Sequence, residues 1–125
     1  MAGELEKVVR KMFSAFETMD VDTLMTLVTS DMQGVDEISR KWMRGEGAIK
    51  DYFNSLQGQV TDVTSNIKDV HETIEGDVGI LTCWLEQDYT MGGQKTHVSA
   101  PTTCLFRNEG GTWRASLFHS IPLAD

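Results

Sequence analysis

The strongest constraint on the fold is a change of pattern near Gln59, where helical periodicity gives way to strand-forming sequence. Beyond that point Val, Ile, Thr and aromatic residues dominate, and turn-forming residues recur at 75–77, 92–93 and 108–111. Strands of this length must twist and curl, so the predicted sheet has a concave face. The pattern predicts four hairpin-connected strands, at about Asp62–Ile74, Val78–Met91, Gln94–Arg107 and Thr112–Ile121.

Upstream of that change, the apolar residues fall on helical faces. The stripe from Leu5 to Met19 has the spacing of an amphipathic helix, over about Glu4–Thr18. Asp20 then stands at the N-cap position of a second, short helix, which we expect to end at 29–31. A third helical face follows later, over the residues from Ile49 to Leu56.

The segment between the second and third helices is polar, with Val35, Ile38 and Trp42 as its apolar residues, and it predicts one or two short strands. Helices followed by strands give an α+β fold, with the helices packed on one face of an antiparallel sheet. A chain of 125 residues has the size of one domain with one core, so we expect a single domain over residues 1–125.

Charge and composition limit the classes of partner that the chain can bind. A formal charge of −8, with no cluster of Lys or Arg, argues against nucleic acid and against anionic membranes. The chain has no basic and apolar leader at its start and no run of 18 apolar residues, so we expect a cytoplasmic protein that does not enter a membrane. Cys83 and Cys104 lack the paired spacing of a zinc site, and we expect reduced core thiols.

Three stretches carry a resemblance to a known family. They are the first helix and turn through Leu27, the segment from Arg44 through Ile49 to Phe53, and the last two strands with Ala100-Pro101 and the closing Phe118-His119-Ser120. In order and spacing they resemble the nuclear transport factor 2-like superfamily, and within it the SnoaL-like and ketosteroid-isomerase-like branch. The resemblance implies a cone-shaped cystatin-like fold, with three N-terminal helices on a curved, mainly antiparallel sheet. It also implies a small-molecule pocket in the cone and a homodimer through the outer face of the sheet.

The same resemblance places Asp36 where ketosteroid isomerases keep their catalytic base. A carboxylate in an apolar cavity suits proton abstraction, because loss of hydration makes it more basic. The alternative is that Asp36 is a solvated carboxylate on a short exposed strand. The donors that those isomerases use for the enolate are absent, since Met12 stands at the tyrosine position and Thr103 at the aspartate position. We therefore do not expect steroid isomerisation by that mechanism.

The alternation of side chains along the predicted strands indicates which residues line the pocket. Thr103 falls on the face that the resemblance turns inward, and Ser116, Phe118 and Ser120 share one face of the last strand. Trp42 lies near a loop that could gate the pocket mouth. These residues predict a site for a small, partly polar organic molecule, and the alternative is a packed core. Three other aromatic residues could line the site or fill the core: Trp84, Tyr52 and Tyr89.

The three histidines lie on three different predicted strands. Neither His71 nor His119 has a neighbouring ligand at metal-binding spacing, and we expect no metal or other cofactor. His97 could assist Asp36 as an acid/base partner, but its direction depends on a bulge that one additional residue near it would create.

Three functions remain open at this stage. The first is a small-molecule-binding SnoaL-like domain, with or without weak catalysis. The second is an isomerase, dehydratase or hydrolase in which Asp36 is the general base and His97 or Thr103 assists. The third is a homodimeric protein-interaction module.

Overall fold

The computed structural model describes residues 3–124, which form three helices and six strands. The α+β class and the three N-terminal helices are as predicted. The helices are α1 (Glu4–Glu17), α2 (Val21–Met25) and α3 (Glu46–Leu56). The strands are β1 (Val28–Asp36), β2 (Met43–Arg44), β3 (Val60–Glu75), β4 (Val78–Met91), β5 (Gln94–Glu109) and β6 (Thr112–Ser120).

The six strands form one curved, mixed sheet in the order β2-β1-β6-β5-β4-β3. The pairs β3–β4, β4–β5 and β5–β6 are the predicted antiparallel hairpins. β1 joins β6 in parallel, a pairing between the two ends of the chain. The sheet therefore places the end of β1 beside the end of β6, where Asp36 is opposite Ser120.

The expected end of the second helix at 29–31 is wrong, because a strand already begins at Val28. The Leu27 carbonyl accepts a hydrogen bond from the Ala115 amide at 2.8 Å, which starts the pairing with β6. Val28 and Thr29 are both buried, and β-branched residues suit a strand better than a helix end.

Helix α1 is fixed on the sheet at its N-terminus. Its N-cap residue is Gly3, which has no side chain to accept from the free amides. Glu72 of β3 supplies the acceptor instead, at 3.0 Å from the Leu5 amide and 3.2 Å from the Glu6 amide. Leu5 approaches Gly79 of β4 so closely that a Cβ there would lie 2.7 Å from its Cδ1. The start of α1 is thus held by β3 and β4 together.

The pairing of β4 with β5 is uninterrupted from Val78↔Arg107 to Met91↔Gln94, so no bulge occurs near His97. The expected inward direction of Thr103 is therefore wrong. The side chains of β5 alternate without interruption, and its even-numbered residues are the ones that face the core. Thr103 is half-buried on the other face of the sheet. The buried residues are Val98, Ala100, Thr102, Cys104 and Phe106.

Strand β6 does contain an irregularity, and it changes the direction of one predicted residue. Its register with β5 shifts between the pairs Leu105↔Leu117 and Phe106↔Ala115. Ser116 is the additional residue at this shift, and Ala115, not Ser116, is fully buried. After the shift Phe118 pairs with the buried Cys104, so the inward direction of Phe118 stands.

Two further expectations concern the cysteines and the absence of a membrane-spanning helix. Cys83 and Cys104 are free and buried, and burial raises the pKa of the Cys83 thiol to about 11. Within residues 3–124, no helix is long and apolar enough to cross a membrane.

Candidate functional site

A cavity of about 70 Å³ lies between the helices and the sheet. This volume exceeds the roughly 10–15 Å³ that one water needs, and it is below the roughly 150 Å³ of a cavity that admits benzene. The cavity is partly open to solvent, so only the buried part of a ligand must be this compact, and the rest can extend outside it. Its walls are mainly apolar and include Met12, Phe13, Phe16, Met32, Met43, Phe53 and Phe118, and its polar lining residues are Asp36, Glu37, Tyr52, Gln87 and Ser120.

Asp36 ends β1 at the wall of this cavity, and its carboxylate also holds the following turn. Oδ1 accepts hydrogen bonds from the amides of Ile38 at 3.0 Å and Ser39 at 2.8 Å. The Ser39 hydroxyl in turn accepts from the Asp36 amide at 3.0 Å. The side chain is half-buried and fixed, unlike a solvated carboxylate on an exposed strand.

Tyr52 of α3 makes a further contact with Asp36. Its hydroxyl lies 2.9 Å from Oδ1 and 2.9 Å from Oδ2. Burial, together with the charge of Asp36, raises the pKa of Tyr52 well above its usual value, so the hydroxyl is a donor at neutral pH. Oδ1 thus faces three donors and Oδ2 faces Tyr52 alone, so Oδ2 is the oxygen with capacity left to meet a ligand.

Glu37 is the titratable lining residue that the sequence analysis does not single out. Burial raises the pKa of its carboxyl to about 7, and the charge of Asp36 adds to this effect. Hydrogen bonds from its own backbone amide and from Tyr89 act in the opposite direction. A group with this pKa exchanges a proton near neutral pH, which is the property that acid–base chemistry requires. The one sequence signal is its position directly after a strand end, where alternation ceases and two successive side chains can face one cavity.

Two further polar groups complete the lining. Gln87 is only 5% exposed, and its amide nitrogen donates one N–H to the Ser65 hydroxyl at 3.0 Å, which leaves the amide oxygen as an acceptor and the second N–H as a donor. The hydroxyls of Ser120 and Thr102 lie 2.9 Å apart, and Thr102 also donates to the Ala100 carbonyl at 3.1 Å. Because Thr102 has one hydroxyl proton, Ser120 donates to Thr102 and keeps its own lone pairs for a ligand.

The other predicted site residues lie outside the cavity. Thr103 and Ser116 are not among its lining residues, for the reasons of register given above. Trp42 is 41% exposed, with its ring 6.0 Å from that of His119 and 5.6 Å from the Arg44 guanidinium. The cavity thus brings together three of the predicted residues, namely Asp36, Phe118 and Ser120.

His97 lies on the exposed outer face of the sheet, so the structure does not bring it to Asp36. Its Nδ1 is 2.8 Å from Asp88 and its Nε2 is 3.0 Å from Glu86. The bond to Asp88 raises the pKa of His97, and the bond to Glu86 adds to this effect. In the part of the chain that the structure describes, no three His, Cys, Asp or Glu side chains are arranged to hold a metal ion.

Comparison with known proteins identifies relatives of the fold. The profile of the SnoaL-like domain family matches residues 5–124. A proposed dehydratase of the nuclear transport factor 2-like family from Streptomyces avermitilis superposes with a TM-score of 0.88 at 16% identity, covering 98% of this chain and 96% of its own. A ketosteroid isomerase-like protein from Erwinia carotovora atroseptica gives 0.81 at 18% identity, with 98% and 95% covered.

A third structure, a proposed aromatic ring hydroxylase from Novosphingobium aromaticivorans, gives a TM-score of 0.89 at 15% identity, with 98% of this chain and 88% of that chain covered. Identities this low establish a shared fold and no shared activity. Two further similar structures have a cystatin-like fold. No curated protein matches the sequence.

Proposed function

The chain belongs to the SnoaL-like domain family, and on that premise we propose that its cavity binds a compact, mostly apolar organic molecule bearing one polar group. The observation that carries the proposal is the pair Asp36 and Glu37, held beside Tyr52 in a cavity whose other walls are mainly apolar. Apolar walls supply affinity and a few fixed polar groups supply orientation, which is the usual composition of a small-molecule site.

Acid–base catalysis on the bound molecule is the second candidate, and Glu37 favours it. A carboxyl with a pKa of about 7 can both take and return a proton at neutral pH. Asp36 remains a candidate base through Oδ2 alone, because Oδ1 already accepts from three donors. An isomerase or a dehydratase would use such a group. For a substrate found by screening, Glu37→Gln should remove turnover while the substrate still binds.

A homodimer through the outer face of the sheet is part of the proposal. Val78 and Ile80 project from that face of β4 and are 52% and 42% exposed. Leu105 of β5 pairs with both Ile80 and Leu117 and extends the same apolar surface. Light scattering should report twice the monomer mass, and Ile80→Lys should reduce it to that of the monomer. A protein that is monomeric at all concentrations would contradict this part.

The binding proposal is tested by NMR on protein carrying ¹³C-methyl methionine, titrated with isobutanol. Met12, Met32 and Met43 line the cavity, whereas Met91 lies at the exposed end of β4. Binding in the cavity should shift the three lining methyl signals in a saturable manner and leave that of Met91 in place. Equal, linear shifts of all the methionine signals would contradict binding in the cavity.

A further inference from the structure

The polar groups of the cavity are almost all acceptors. The Tyr52 hydroxyl donates to Asp36, and one of the two N–H groups of the Gln87 amide donates to Ser65. Ser120 donates to Thr102. What remains for a ligand is therefore mainly carboxylate, amide and hydroxyl oxygens, beside one N–H of Gln87, and this set favours a ligand that donates hydrogen bonds.

The charge of the cavity lining also favours a ligand that donates hydrogen bonds. It contains two carboxyl groups, Asp36 and Glu37, and none of the described residues that line the cavity is Lys, Arg or His. A carboxylate or phosphate ligand would meet like charge in an apolar setting, which is costly. A cation would meet opposite charge there.

We propose that the ligand of this cavity is a compact aliphatic amine, bound as its ammonium ion with its apolar group among the phenylalanines and its N–H groups directed at Glu37, Asp36 Oδ2 and Gln87. This inference rests on the proposed function, since it assigns a chemical class to the same site. It predicts that the site binds an amine more tightly than an alcohol or an acid of equal shape.

The amine must bind the ionised form of Glu37, which links affinity to pH. The titratable groups that face Glu37 are Asp36, Tyr52 of α3 and Tyr89 of β4. Both tyrosines have pKa values raised above their usual range, chiefly by burial, so they remain neutral from pH 6 to pH 8. With a Glu37 pKa of about 7, the ionised fraction falls about tenfold between pH 8 and pH 6. Amine affinity should fall by the same factor.

The experiment titrates the ¹³C-methyl methionine protein with isobutylamine, isobutanol and isobutyrate at pH 8 and pH 6. We expect isobutylamine to bind at least tenfold more tightly than isobutanol at pH 8 and to lose about tenfold at pH 6. Isobutanol affinity should be unchanged by pH, and isobutyrate should not bind. The Glu37→Gln variant should reduce the preference for amine, because Asp36 alone then carries a carboxylate, and should remove its pH dependence.

Asp51→Asn is the matched control, because it removes one charge from the exposed side of α3 next to Tyr52. Its amine preference should equal that of the unaltered protein, which separates a direct contact with Glu37 from a general effect of negative charge. Binding of isobutanol or isobutyrate as tightly as isobutylamine would overturn the amine assignment and leave the binding proposal standing. Failure of all three compounds to shift the lining methionines would contradict both.

Discussion

The Tyr52 hydroxyl lies 2.9 Å from each carboxylate oxygen of Asp36, and this contact joins α3 to the end of β1. One phenolic proton is shared between two oxygens, so the contact fixes the carboxylate plane as well as its position. It connects the turn after β1, the helix and the cavity wall in one hydrogen-bonded unit.

Tyr52→Phe should lower the free energy of unfolding by about 1–3 kcal/mol, because a hydrogen bond to a charged group is lost. The ring would keep its edge contact with Phe53, at 5.6 Å between centroids. Urea unfolding followed by circular dichroism measures the loss. Ser55→Ala, which removes an exposed hydroxyl from the same helix, should change stability by less than about 0.5 kcal/mol. Equal effects of the two substitutions would contradict the role of the Tyr52 contact.

Glu37→Gln should stabilise the chain more at high pH than at low pH. The carboxyl has a pKa of about 7 in the folded chain, against an ordinary value of 4.5. Between these values the folded chain holds a proton that the unfolded chain has released, so the stability of the unaltered protein falls as pH rises. Above the folded-state pKa of about 7, this carboxyl no longer makes the stability depend on pH.

The amide of Glu37→Gln does not titrate, so the variant escapes this loss. Its advantage in unfolding free energy should grow by on the order of 1 kcal/mol or more from pH 4.5 to pH 8. Urea unfolding at a series of pH values measures the advantage. Glu75→Gln, at the exposed end of β3, makes the same substitution away from the cavity and should change stability by less than about 0.5 kcal/mol. An advantage of Glu37→Gln that shrinks toward pH 8 would mean that the carboxyl is not held in its acid form.

Gly34→Ala should fill part of the cavity without straining the fold. A Cβ at this position would lie 3.4 Å from Ile49 and 3.6 Å from Met43, which are ordinary contacts. We expect a gain of about 0.4–1 kcal/mol in stability, since the unfolded chain loses freedom. Binding of isobutanol should weaken, as measured by the methionine NMR titration.

Gly47→Ala is the matched control for that substitution. It places the same methyl group on α3, where nothing lies within 4 Å of the new Cβ. It should also stabilise the chain and leave isobutanol binding unchanged. Equal weakening by both variants would show that isobutanol binds elsewhere.

Glu72→Ala should cost about 0.5–2 kcal/mol, the range for loss of a helix cap. The carboxylate accepts from the Leu5 and Glu6 amides at the start of α1, and Gly3 cannot replace it. Glu72→Gln should cost less, because its amide oxygen still accepts one of the two bonds. Thermal unfolding of both variants gives the order, and hydrogen exchange should be faster at the first turn of α1 in Glu72→Ala.

The local sequence pattern was sufficient to predict the helices and hairpins, because their formation depends on residues that are close together in the sequence. The stripe of α1 and the turns between β3, β4, β5 and β6 predict those elements to within a few residues. The start of β1 at Val28 was not predictable in this way, because it depends on pairing with Ala115 at the far end of the chain.

Side-chain direction on the sheet was the least predictable feature of the site. One residue of register separates the exterior Thr103 from the buried Thr102, and a single irregularity in β6 removes Ser116 from the inner face. The role of Glu37 depends on burial by elements distant in sequence, including the strand that carries Tyr89, which no local pattern encodes.

The most direct measurement is a ¹³C NMR titration of the side-chain carboxyl groups, with the Glu37 signal assigned by its absence in Glu37→Gln. We expect that signal to titrate with a midpoint of about 7, well above the ordinary value of 4.5. A midpoint below 5 would mean that water reaches Glu37 freely, and it would contradict a buried, proton-exchanging carboxyl in the cavity wall.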